Sequence, residues 1–114
     1  MENILATMRG YLQMDSEIDA AEFNSFYKTV MDFLQADFAD LEADALVKMH
    51  AVTSIMGMNA ADRSTRRDND AKKFKKIAQK AKFWNDAIAY KLNKTHGMSQ
   101  DEIDRASDTV FVAE

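Results

Sequence analysis

Residues 72–92 read KKFKKIAQKAKFWNDAIAYKL, and two patterns overlap in them. Stepping ~100° per residue from Phe74, the side chains of Ile77, Ala81, Trp84, Ile88 and Leu92 fall within about 80° of one another's side of a helix. A stripe of that length is the mark of a helix with a buried face. Lys72, Lys76, Phe83, Tyr90 and Lys94 cluster about half a turn away. Lys73, Lys80 and Lys91 lie on one flank of this second strip, Lys75 and Lys82 on the other. A purely solvated face has no use for Phe83. The stretch therefore commits the chain to helix and raises the question of what covers its second side.

The rest of the sequence agrees with the first pattern. The chain has 114 residues, no proline, three glycines and no cysteine. Few helix breakers and many Ala, Lys, Glu, Met and Gln argue for helix throughout. No stretch alternates apolar and polar residues over a strand's length. The expected fold is all-α: a compact, roughly antiparallel bundle of four main helices plus a short C-terminal helix. The expected organisation is one domain over 1–114, with a possible mobile linker at 59–69.

Local signals set the helix limits. The first helix is expected over 2–13. At the second, Asp19 as N-cap and Glu22 three residues on make a capping-box pattern, with Ile18 and Phe23 as a hydrophobic staple. Its stripe is Phe23, Phe26, Tyr27, Val30, Phe33 and Leu34, ending near Gln35 or Phe38. The third helix starts near Asp37 or Asp40 and carries Leu41, Ala45, Met49, Val52 and Met56 on one face. Gly57 and Asn59 suggest an end close by, although the helix could continue to Asp62. The fourth spans 68–95, with His96 in its last turn and Gly97 just beyond. Ser99, Glu102, Met98 and Ile103 repeat the start signal for a fifth helix reaching Thr109. The apolar tail VFVAE is expected to tuck onto the bundle.

Charge is unevenly spread. Residues 1–62 hold 11 acids and 3 bases, residues 63–82 hold 9 bases and 2 acids, and residues 83–114 hold 3 bases and 6 acids. Together they give the net −4 and the pI near 5.1. The opening, MENILATMRGYLQM, has no basic region followed by an apolar run, so no signal peptide is read there. No apolar run reaches the ~20 residues of a membrane span. The absence of cysteine rules out disulfides and thiolate chemistry and suits a reducing compartment, so a cytoplasmic location is expected.

Searches for reactive constellations find none, and no enzyme activity, cofactor, metal or small-molecule substrate is expected. A di-iron bundle needs Glu-x-x-His, but Val47 and Asn93 stand three residues before His50 and His96. Asp15, Glu17 and Asp19 have the spacing of a calcium loop, which fails at Ala20 and Phe26. Asp37, Asp40, Glu42 and Asp44 read as dipole complements at a helix start. His50, on a helix after an acidic segment, resembles the histidine of phosphotransfer domains, four-helix bundles of about this size. Their lysine and glycine three and four residues on are replaced by Thr53 and Ser54. That resemblance implies a remote alternative, phosphotransfer at His50; otherwise His50 reads as a boundary residue of the core.

The leading expectation is a small interaction protein, an adaptor or regulator. It would dock a protein partner or a second copy, most simply as a homodimer, through Lys72, Lys76, Lys80, Phe83, Tyr90 and Lys94. The alternative is a nucleic-acid accessory protein, with Arg63, Arg66, Arg67, Lys72, Lys73, Lys75, Lys76 and Lys80 on phosphates and aromatics stacking on bases. Against it stand the acidic pI and the lack of arginine within 72–82.

Overall fold

The computed structural model describes residues 1–112 of the chain. Among them every regular element is helical: α1 (Glu2–Leu12), α2 (Ala20–Asp37), a 3-10 turn (Phe38–Asp40), α3 (Ala43–Arg63), α4 (Ala71–His96) and α5 (Gln100–Thr109). The all-α expectation holds. The chain divides into two units, Met1–Leu41 and Glu42–Glu114. The expected linker at 59–69 lies inside the second unit. Residues 59–63 belong to α3, and the connection to α4 is only residues 64–70.

In the first unit, α1 buries Ile4, Leu5 and Met8. The α2 stripe buries Phe23, Phe26, Val30, Met31 and Leu34. Tyr11 meets Phe26 edge to face, ring centroids 5.4 Å apart, a geometry that suits the ring quadrupoles. The Asp19 carboxylate accepts the Glu22 N–H at 2.8 Å, so the α2 cap is where the sequence placed it. The reciprocal bond is absent there and present at α5. Ser99 Oγ accepts the Glu102 N–H at 3.2 Å while Ser99 N–H donates to Glu102 Oε1 at 3.0 Å. The Ser99 backbone N–H, and after it the Ser99 hydroxyl, hold the exposed Glu102 carboxyl below its ordinary pKa.

The second unit is built on α3 and α4. Arg63 lies against Phe74, Gly57 against Ala81, and residues 50–54 against Asn85. Numbers fall along α3 as they rise along α4. α5 meets both helices. On α4, Phe74, Ile77, Ala81, Ile88 and Leu92 are buried and Trp84 is half-buried, as the stripe requires. Gly97 closes α4 in the left-handed conformation (φ 68°), and Met98 N–H folds back to the Leu92 carbonyl at 3.2 Å. Only glycine adopts that backbone without steric cost.

Two limits of α3 differ from the sequence expectation. Asp37 has helical dihedrals (φ −117°, ψ −6°) and cannot serve as an extended N-cap. The backbone becomes extended only at Leu41 and Glu42, so α3 starts at Ala43. At the other end Gly57 does not stop the helix. A Cβ built at Gly57 comes 3.3 Å from the Ala81 Cβ, so the missing side chain is what lets the two helices approach. The contact offsets the ~1 kcal/mol that a mid-helix glycine costs. The tail is settled only in part: Phe111 is half-buried and Val112 exposed, while Ala113 and Glu114 lie outside the described residues.

These contacts separate the two helical glycines. Gly57→Leu is expected to destabilise the protein by about 1–3 kcal/mol through overpacking. Gly10→Ala, where an added Cβ meets nothing within 4 Å, is expected to stabilise it by about 0.5–1 kcal/mol. Urea unfolding followed by circular dichroism measures both; a neutral Gly57→Leu would refute the close approach.

Candidate functional site

The outer face of α4 is the site the sequence singled out. The inward stripe is consumed by the core, which fixes the rotation of the helix and turns the second strip away. Phe83 is 62% exposed and Tyr90 66% exposed, so within the chain neither ring is covered. Phe83 leans its edge against Trp84, centroids 5.6 Å apart. Lys94 Nζ stands 5.9 Å from the Tyr90 ring centroid, within cation–π range. The rings are seven residues apart, two turns of helix or roughly 10 Å.

The lysines around them are exposed apart from Lys91, which is half-buried. α4 carries eight lysines and one acid, Asp86, and Asp86 is engaged by Lys82 at 2.9 Å. Lys72, Lys73, Lys75, Lys76 and Lys80 form no ion pair among the described residues. The helix start compounds this excess. Its first turn holds no acid, and Asp70 makes no capping bond.

The arginines upstream do not extend this face as expected. Arg63 is 7% exposed. α3 runs on far enough to include it, and its guanidinium lies 5.2 Å from the Phe74 ring centroid. It belongs to the α3–α4 contact, which corrects its place among candidate nucleic-acid ligands. Arg66 pairs with Asp62 at 3.1 Å. Arg67 is exposed.

A second site escaped the sequence reading. α3 presents His50, Ser54 and Met58, and α5 presents Asp104, Ser107 and Asp108, to a cavity of about 390 Å³ that Phe111 also lines. His50 is 5% exposed, so it is a core residue and not a boundary one. Its Nδ1 is hydrogen bonded to Ser107 Oγ at 2.9 Å, across 57 residues of sequence. The only available signal lay on α5, where Ser107 follows Ile103 by one turn on the buried stripe; a buried hydroxyl needs a partner. Asn85 secures the same region from α4. Its Nδ2 donates toward the His50 carbonyl (3.1 Å), Thr53 Oγ1 (3.0 Å) and Ser54 Oγ (2.8 Å). Thr53 Oγ1 in turn donates to the Met49 carbonyl at 2.9 Å.

Burial lowers the His50 pKa, and Asp104, Asp108 and Asp86 oppose the shift without cancelling it. A smaller cavity of about 260 Å³ lies within the first unit, lined by Thr7, Tyr11, Glu22 and Thr29 among others. Burial, and then the Glu22 charge, raise the Tyr11 pKa there. No group of three or more ligating side chains suited to a metal occurs among the described residues, and no helix there is long and apolar enough to cross a membrane.

The His50 shift predicts a pH dependence with a definite sign. Above the unfolded histidine pKa of ~6.5 both states hold His50 neutral and its contribution is complete. As pH falls below that value the unfolded chain takes up the proton first, and stability is lost progressively toward the lower folded pKa. Urea unfolding at pH 7.5 and 5.5 should show this loss, and His50→Gln should flatten it. An equal slope in the variant would refute the assignment. No family model, curated protein or solved structure matches this chain, so its function is read from its own residues.

Proposed function

We propose that the protein is a small non-catalytic adaptor or regulator that docks an acidic protein surface onto the outer face of α4. The observation that carries this reading is the pair Phe83 and Tyr90, exposed two turns apart on a helix where Lys72, Lys76, Lys80 and Lys94 form no ion pair among the described residues. Two rings at that spacing suit an apolar slot, and Lys72, Lys76, Lys80 and Lys94 suit carboxylates at its rim. Lysine stems cover apolar surface while their charges stay solvated, which favours a rim over a core role.

Charge decides among the occupants. A second copy docked through the same face sets eight lysines against eight, with one aspartate on each helix; like charges at an interface are repulsive. The homodimer, simplest from the sequence, is therefore less favoured than an acidic partner. A nucleic acid would meet the same lysines, but burial of Arg63 removes one of the three arginines of that set. Phosphotransfer at His50 is disfavoured by the Asp104 and Asp108 carboxylates that line its cavity and repel a phosphodonor. The α3–α4 register supports the antiparallel bundle as the finer description of the fold, and the cysteine-free composition supports a cytoplasmic setting.

A direct test uses an acidic amphipathic helical peptide with leucines at i, i+3 and i+7, titrated into isotopically labelled protein. Amide shifts confined to 72–94 are expected, weakening as salt is raised. Phe83→Asp should reduce affinity at least about 30-fold, as for an interface anchor, with the far-UV spectrum unchanged. Three outcomes would overturn the reading: unaltered binding by the variant, a stable dimer in sedimentation without peptide, or tighter binding of an oligonucleotide at the same face.

A further inference from the structure

The His50 cavity between α3 and α5 has a composition that points to a ligand. His50 is nearly sealed, with Nδ1 held by Ser107. Its Nε2 makes no hydrogen bond among the described residues, yet no fully buried side-chain nitrogen or oxygen lacks a partner there. His50 is itself among the residues that line the cavity. Asp104 and Asp108 stand one turn apart on α5 and line the same space. Asp104 accepts a hydrogen bond from Gln100 Nε2 at 2.9 Å, and neither carboxylate has a cation within 4 Å among the described residues. Met58 and Phe111 supply an apolar wall beside them.

We propose that this cavity binds a primary ammonium carried on a short apolar stem. The head sits between the Asp104 and Asp108 carboxylates and donates to His50 Nε2, and the stem lies along Met58 and Phe111. When His50 Nδ1–H donates to Ser107 Oγ, Nε2 carries the lone pair, so an ammonium selects that tautomer. Anions are rejected by the carboxylates. A volume of about 390 Å³ falls at the small end of ligand pockets, matching a compact amine. The site shares no residue with the α4 face, so each proposal stands or falls alone.

Hexylammonium chloride in phosphate buffer is the probe, with hexanol as the uncharged control and Nα-acetyl-lysine N-methylamide as the protein-derived source of the same group. Saturable amide shifts confined to 50–58 and 104–111 are expected with hexylammonium and not with hexanol. Asp108→Asn should weaken binding about tenfold, as for the loss of a charge-assisted hydrogen bond. Asp104→Asn with Asp108→Asn should abolish it; both side chains are exposed, and the spectrum of the folded protein checks that the fold persists. Equal or tighter binding of the lysine derivative assigns the ammonium to a protein side chain. Shifts that never saturate, that scatter over the acidic surface of the first unit, that hexanol reproduces, or that survive the double substitution would overturn the proposal.

Discussion

The approach of α3 to α4 at Gly57 and Ala81 is the constraint on which the second unit depends. With no side chain at Gly57, the two backbones come close enough for an added Cβ to fall 3.3 Å from its neighbour. That proximity allows one Asn85 carboxamide to reach a backbone carbonyl and two hydroxyls on α3. Position and rotation of α4 are then fixed together: polar contacts set the register and the apolar stripe sets the facing. The exposure of Phe83 and Tyr90 follows from this geometry, since a helix held by its Phe74–Leu92 stripe has its opposite side pointing away.

α5 is tied to α3 by a different physics. Its buried residues are only Ile103 and Ser107, little apolar area for a ten-residue helix. The Ser107–His50 bond adds orientation that Ile103 alone cannot give, and the capping box at Ser99 supplies backbone bonds at the start. The arrangement works while His50 is neutral, because a buried imidazolium would have to be stabilised by carboxylates that are themselves solvated.

What the sequence made legible follows the range of the interactions involved. The caps at Asp19 and Ser99 and the turn at Gly97 are decided within four residues of chain, and each stands where the residue pattern put it. The α4 stripe is a property of one helix and was readable for the same reason. The start of α3 was misread because Asp37 and Asp40 have the right chemistry for a cap but the wrong place in the backbone: Asp37 closes α2 and Asp40 lies within the 3-10 turn. Gly57 was misread because its local cost is offset by a partner 24 positions away, and Arg63 because its partner, Phe74, belongs to the next helix. His50 needed Ser107, farther still, and no local pattern announces such a pair.

The start of α4 shows what the helix gives up. Lys72, Lys73, Lys75 and Lys76 crowd the end where the helix dipole disfavours positive charge, by typically a few tenths of a kcal/mol per exposed residue at low salt. No acid in the first turn and no capping bond from Asp70 relieve them. The same chain builds side-chain caps at α2 and α5, so effective helix starts are within its repertoire. Local rules broken without a structural return tend to mark surfaces kept for another purpose. Here the unreturned features, uncompensated lysines and two bare aromatic rings, occupy one face of one helix. The charge is also concentrated: against a chain of net −4, α4 alone holds eight bases and one acid. Over distances shorter than the ~8 Å screening length the local field governs and not the net charge, so the surface of α4 is positive even though the protein as a whole is acidic.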